Sequence, residues 1–128
     1  MGIPDDVREV DLLLYLKTFL VASEGLIEMN DPVEIDALEQ HFEDAIKVMD
    51  IRFTTHEFFL RLAHDHQREY VAGLSAYSEG GNPFRDLHHA LVKRLKRLEG
   101  KLIALRKESY PSRDIFGTPS HSGLWRKL

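Results

Sequence analysis

Between Phe84 and Leu98 the apolar residues Phe84, Leu87, Leu91, Leu95 and Leu98 recur at spacings of three and four, a narrow stripe on a helical wheel. The other side of this stretch carries Arg85, His89, Lys93, Lys96 and Arg97, with one acid, Asp86, among them. The pattern predicts an amphipathic helix held on a core by its leucine edge, its basic back turned outward.

The rest of the chain reads as support for that helix. Pro4 suits a first helical turn, Asp5 and Asp6 suit the positive end of a helix dipole, and Gly25 can end the segment. A helix over about residues 4–23 is expected. Val10, Leu13, Leu14, Phe19 and Val21 make it apolar on most sides, so it needs cover from packing or from a second copy of the chain. Asp31-Pro-Val-Glu34 then reads as a helix start, with Asp31 as cap and Glu34 reaching back. Ile35, Leu38, Phe42, Ala45, Ile46 and Met49 give that helix one face as far as about Asp50. Ile51-Arg-Phe53 is β-prone, and Thr54-Thr-His-Glu57 is a second capping signature. The helix that follows runs to about Tyr77 with Phe58, Phe59, Leu62, Tyr70, Leu74 and Tyr77 inward. The polar knot at residues 64–69 leaves one rod or two segments open.

Ser78-Glu-Gly-Gly-Asn-Pro83 is a turn, and the basic helix after it should stop near Gly100. Residues 101–107 suit a strand or a prolonged helix. Residues 109–123, dense in Pro, Gly and Ser, read as a long loop. Residues 123–128 read as a closing strand that buries Leu124 or Trp125, antiparallel to the first. The expected fold is mainly α with a small C-terminal antiparallel β-hairpin, the alternative being a helical bundle. Its parts are an N-terminal helix within residues 1–30 and a domain over residues 31–128.

Composition changes this picture little. With 43% hydrophobic and 30% charged residues the chain is ordinary for a globular domain, and without cysteine it has no disulfide frame, thiolate nucleophile or sulfur-based zinc site. The acidic N-terminus is no secretion signal, and the apolar run at residues 12–22 is too short to span a bilayer. A cytoplasmic protein off the membrane is expected. Charge is more informative. The net value of −4 splits into −11 over residues 1–84 (6 Lys/Arg, 17 Asp/Glu) and +7 over residues 85–128 (11 Lys/Arg, 4 Asp/Glu). Such asymmetry points to a surface for an acidic partner or to two halves that neutralise each other.

Chemistry has few footholds. Seven histidines occur, but no two stand four apart, Glu-x-x-His is absent, and adjacent His88 and His89 point about 100° apart on a helix. No metal ligands and no cofactor are therefore expected. A Gly-rich phosphate loop and a Gly-x-Ser-x-Gly elbow are missing too, so no catalytic residue is assigned and no enzyme is expected.

The order helix, short strand, helix, helix, strand, strand resembles the winged helix-turn-helix class. Ile51-Arg-Phe would be its first strand, Thr54-Thr-His-Glu-Phe-Phe-Leu-Arg-Leu its supporting helix, Asn82-Pro-Phe-Arg-Asp-Leu-His-His-Ala-Leu-Val-Lys-Arg-Leu its recognition helix, and Leu102 to Trp125 its wing. The resemblance implies double-stranded DNA in contact with Arg85, His89, Lys93, Lys96 and Arg97, with the wing adding Arg106, Lys107 and Arg113. A transcription-regulator-like protein would follow, dimeric if residues 4–23 pair with a second copy. The sequence departs from the class in its long supporting helix, its acidic front half, and Glu108 and Asp114 on the wing. The alternative function is a protein-interaction module whose basic face docks an acidic protein partner.

Overall fold

The computed structural model describes residues 31–128; the helix expected at residues 4–23, and any pairing through it, lie outside them. The described elements are α1 (Val33–Glu39), α2 (Phe42–Lys47), β1 (Arg52–Thr54), α3 (Thr55–Asp65), α4 (Gln67–Ala76), α5 (Pro83–Lys96), β2 (Ile103–Arg113) and β3 (Pro119–Lys127). The result is a mixed fold in which helices pack against a three-stranded antiparallel sheet of order β1-β3-β2. No described helix is long and apolar enough to cross a membrane.

Local signals set several boundaries. Thr54 closes a full capping box: its hydroxyl accepts from the Glu57 amide at 3.1 Å, and the Glu57 carboxylate accepts from the Thr54 amide at 2.9 Å. Strand β1 therefore passes into α3 without a loop. Asn82 caps α5 by accepting from the Arg85 amide at 3.1 Å, with Pro83 in the first turn. Gly100, at φ +82°, lets the chain reverse out of α5 into β2.

Two expectations change and one open choice is decided. The helix over residues 31–50 is two short helices with a break at Gln40 and His41. Its start is Pro32, whose side chain caps nothing, rather than Asp31. Of the two forms open to the chain from Thr55 to Tyr77, one rod or two segments, the structure has two, broken at His66 (φ −130°, ψ 55°). Lastly, the long loop expected at 109–123 shrinks to residues 114–118, because β2 runs to Arg113 and β3 starts at Pro119. Pro111 fits because β2 is a sheet edge, and Pro119 because it opens its strand.

One core joins helices and sheet. Ile35, Leu38, Phe42, Phe58, Leu62, Leu87, Leu91 and Leu95 come from the helices, and Phe53, Ile103 and Trp125 from the strands or their edge. Trp125 sits opposite Phe53 on one side and Leu105 on the other, which fixes the inward face of β3.

Candidate nucleic-acid interface

The leucine edge of α5 goes inward as its spacing requires. Leu87, Leu91 and Leu95 are fully buried, and Phe84 and Leu98 pack at the margin. That orientation leaves Arg85, His89 and Lys96 exposed and Lys93 half-buried, all along one side of the helix. Arg85 lies 3.5 Å from Asp86. Arg97 is exposed but is drawn to Glu39, 3.7 Å away in α1. The hairpin supplies Arg106 and Lys107, both exposed, with the Lys107 ammonium 5.7 Å from the Tyr110 ring centre. Exposed Arg113 donates to the Gly117 carbonyl at 2.7 Å and so braces the turn between β2 and β3.

That turn is built by Asp114, whose carboxylate accepts from the amides of Phe116 and Thr118, with Gly117 at φ +81°. Phe116 at its tip packs edge-on against Phe84, ring centres 4.8 Å apart. The hairpin is thereby tied to the N-terminal end of α5. Register shifts between Leu105 and Lys107, and again between Lys107 and Tyr110, add twist and re-aim the exposed side chains of β2.

Arg94 escaped the sequence reading. Its guanidinium is 6% exposed and donates to Asp36 at 2.8 Å and to Glu39. Burial pulls its pKa down, but hydrogen bonds and charge from the two acids outweigh that and raise it. Part of the basic helix is therefore internal wiring, neutralised by the acidic front half. On the helical wheel Arg94 stands three residues after Leu91 and seven after Leu87, at the edge of the leucine stripe, whereas Lys93 lies on the opposite side; the spacing marks Arg94 as inward but not which acids it meets. A second omission is the outer face of the sheet, where Arg52 and Arg126 stand directly opposite each other in the β1–β3 register, both exposed. Like charges placed directly opposite cost stability.

Behind the hairpin lies a polar and aromatic cluster. The ring of His56 shares a hydrogen bond with the Ser112 hydroxyl at 2.7 Å, Ser112 with Ser122 at 3.0 Å, and the His56 amide donates to Ser122 at 3.3 Å. These contacts lash the first turn of α3 to both hairpin strands. Burial lowers the His56 pKa against the opposing pull of Asp114. His88 stacks on Phe59 with ring centres 4.3 Å apart and meets the Tyr70 hydroxyl at 2.6 Å. Burial, helped by the neighbouring His56 charge, pushes His88 down to about 4 and holds it neutral, while burial raises Tyr70. With both groups neutral, the Tyr70 hydroxyl and His88 Nε2 share one hydrogen bond whose direction follows the imidazole tautomer.

This arrangement predicts a pH dependence. The folded state binds the His88 proton less readily than the unfolded chain, whose pKa is near 6.5. His88's contribution is complete above pH 6.5, shrinks as pH falls through the window, and shrinks no further below about 4. At about 1.4 kcal/mol per pKa unit, reduced for partial exposure, the loss is about 2 kcal/mol. Urea unfolding of the parent and of His88→Gln at pH 7.5 and 4.5 tests it: the parent should lose more stability than the variant, and equal losses would remove His88 as the cause.

A third group lies away from the basic helix. His41, at the break between α1 and α2, stacks on His66, at the break between α3 and α4, with ring centres 3.8 Å apart and planes at 14°. Glu69 Oε1 is 3.9 Å from His41 Nε2. All three are half-buried, and their ligating atoms lie within 4.8 Å of one another. The expectation of no metal ligands rested on spacing within one helix. His66, which caps α4, and Glu69 in its first turn are three apart, but in the order His-x-x-Glu, and the other histidine comes from the break between α1 and α2. Beyond these geometric relationships the chain stands by itself: no protein-family model matches it, and no curated protein or solved structure is found similar to it.

Proposed function

We propose that the chain is a cytoplasmic winged-helix protein that binds double-stranded DNA without carrying out chemistry, in the manner of a transcription regulator. In this reading α5 enters the major groove and the β2–β3 hairpin is the wing. The observation that carries it is the row Arg85, His89, Lys93 and Lys96 along the outward side of α5, on a helix whose N-terminal end is tied to the hairpin through Phe84 and Phe116. The order α1/α2, β1, α3, α5, β2, β3 with β1 paired to β3 supports the same reading. The added segment α4 lengthens the connection between supporting and recognition helices. Arg85 and His89, nearest the N-terminus of α5, are placed to read bases; Lys93, Lys96, Arg106, Lys107 and Arg113 serve as phosphate contacts. Arg97 contributes only on release from Glu39. A second copy, joined through residues 4–23, would present a second reading helix.

The test is fluorescence anisotropy with a generic duplex across a salt series. Each phosphate neutralised contributes a slope of about −0.9 in log affinity against log salt, so the five contacts give about −4.5. Lys93→Glu with Lys96→Glu should abolish duplex binding and leave the helical circular dichroism unchanged. Unaltered affinity would falsify the assignment of α5. A second reading, an acidic protein segment on the same face, is favoured by the way Arg94 and Arg97 already take carboxylates from α1. An absent duplex shift even at low salt, with an acidic peptide still bound, would favour it.

A further inference from the structure

We propose that His41, His66 and Glu69 bind a divalent transition-metal cation, with zinc the best chemical match. Two imidazoles and one carboxylate are a borderline-soft donor set that suits zinc and leaves the fourth coordination position to water. The half-buried setting restricts competition from solvent without closing the approach. As it stands, the group is not completed by its own hydrogen bonds. The His41–Glu69 separation of 3.9 Å exceeds hydrogen-bond length. No described residue hydrogen-bonds a ring nitrogen of either histidine or the Glu69 carboxylate. Donor atoms that are close, partly desolvated and unsatisfied by one another are what a cation would draw together.

Metal–ligand distances of about 2.0–2.2 Å place tetrahedral donors about 3.3 Å apart. The donors must therefore move inward by about an ångström, and the stacked rings must turn so that their lone pairs converge. Half-buried side chains at two helix breaks have room to do so. The consequence for the fold is specific. His41 marks the α1–α2 break and His66 the α3–α4 break, so one ion would pin the two junctions together. The site is separate from the basic row of α5 and stands whether or not that row binds DNA.

The experiment is titration of the full-length protein, freed of metal by chelator, with zinc chloride by calorimetry and with cobalt chloride by visible absorption. One saturable equivalent and the intense bands of tetrahedral cobalt are expected. Loss of an outer partner alone costs a zinc site about 10–100-fold, so His66→Ala or Glu69→Gln should weaken affinity at least a hundredfold. His121→Ala and His64→Ala, at exposed positions outside the group, should leave it unchanged. Should His66→Ala fail to fold, Glu69→Gln, close to isosteric, decides the matter by itself. Absence of a saturable equivalent in the parent, or parent-like affinity in Glu69→Gln, overturns the proposal.

Discussion

Asp36→Asn together with Glu39→Gln should destabilise the protein by about 3–5 kcal/mol, whereas Arg94→Met should change its stability by no more than about 1 kcal/mol. The same contact is broken in both, so the asymmetry comes from what is left behind. Arg94 is 6% exposed, while Asp36 is 63% and Glu39 30% exposed. With neutral amides in place of both acids, the guanidinium, which water barely reaches, loses two of the negative charges that offset its burial. Without Arg94, Asp36 turns to solvent and Glu39 keeps Arg97, 3.7 Å away. Methionine fills much of the arginine's volume between α1 and α5 and asks for no partner. Urea unfolding at neutral pH measures both. Should Arg94→Met prove as damaging as the double acid change, the charge would be a net stabiliser and this argument would fail.

Trp125→Ala should cost about 3–5 kcal/mol through the cavity it opens. For a domain of this size that lowers the melting temperature by roughly 12–40 °C, at about 4–8 °C per kcal/mol. Trp125 is fully buried on the inner face of β3, opposite Phe53 and Leu105, so its ring unites all three strands. Its indole N–H donates to the Thr55 hydroxyl at 2.9 Å, and that hydroxyl in turn donates to the Gly123 carbonyl at 3.4 Å. Gly123 makes room for this chain of bonds: a Cβ there would lie 3.3 Å from both Thr55 Oγ1 and Trp125 Nε1. Trp125→Phe keeps most of the packing and loses the donor, at about 1–2 kcal/mol. Because Trp125 is the only tryptophan, circular dichroism rather than intrinsic fluorescence should follow unfolding. A loss below 1 kcal/mol for Trp125→Ala would mean the sheet is held to the helices by other contacts.

Whatever depended on neighbours in the chain could be read from the sequence. The leucine edge of α5, the capping box at Thr54 and Glu57, and the inward residues of α3 and α4 follow from helical period and from caps within four residues, while the closing strand's period left Leu124 and Trp125 as equal candidates for burial. The break at His41 was hidden because Ile35, Leu38, Phe42, Ala45 and Ile46 keep one inward face across it. Pro111 concealed the continuation of β2 beyond residue 107, since a proline argues against a strand until one knows that the strand is an edge. Among the candidate contacts, the sequence identified the exposed row on α5 but could not exempt Arg97, whose partner lies on α1.

The remainder was settled in three dimensions. Arg94 became a buried anchor because α1 carries two acids to it across 58 and 55 residues. Arg52 and Arg126 became a pair only through the β1–β3 register. His41 joined His66 and Glu69 because two helix breaks meet. A single chain's pattern records which side of an element is apolar. Which polar groups face one another across that apolar interior depends on how the elements dock, and docking is fixed by the packing of all of them at once.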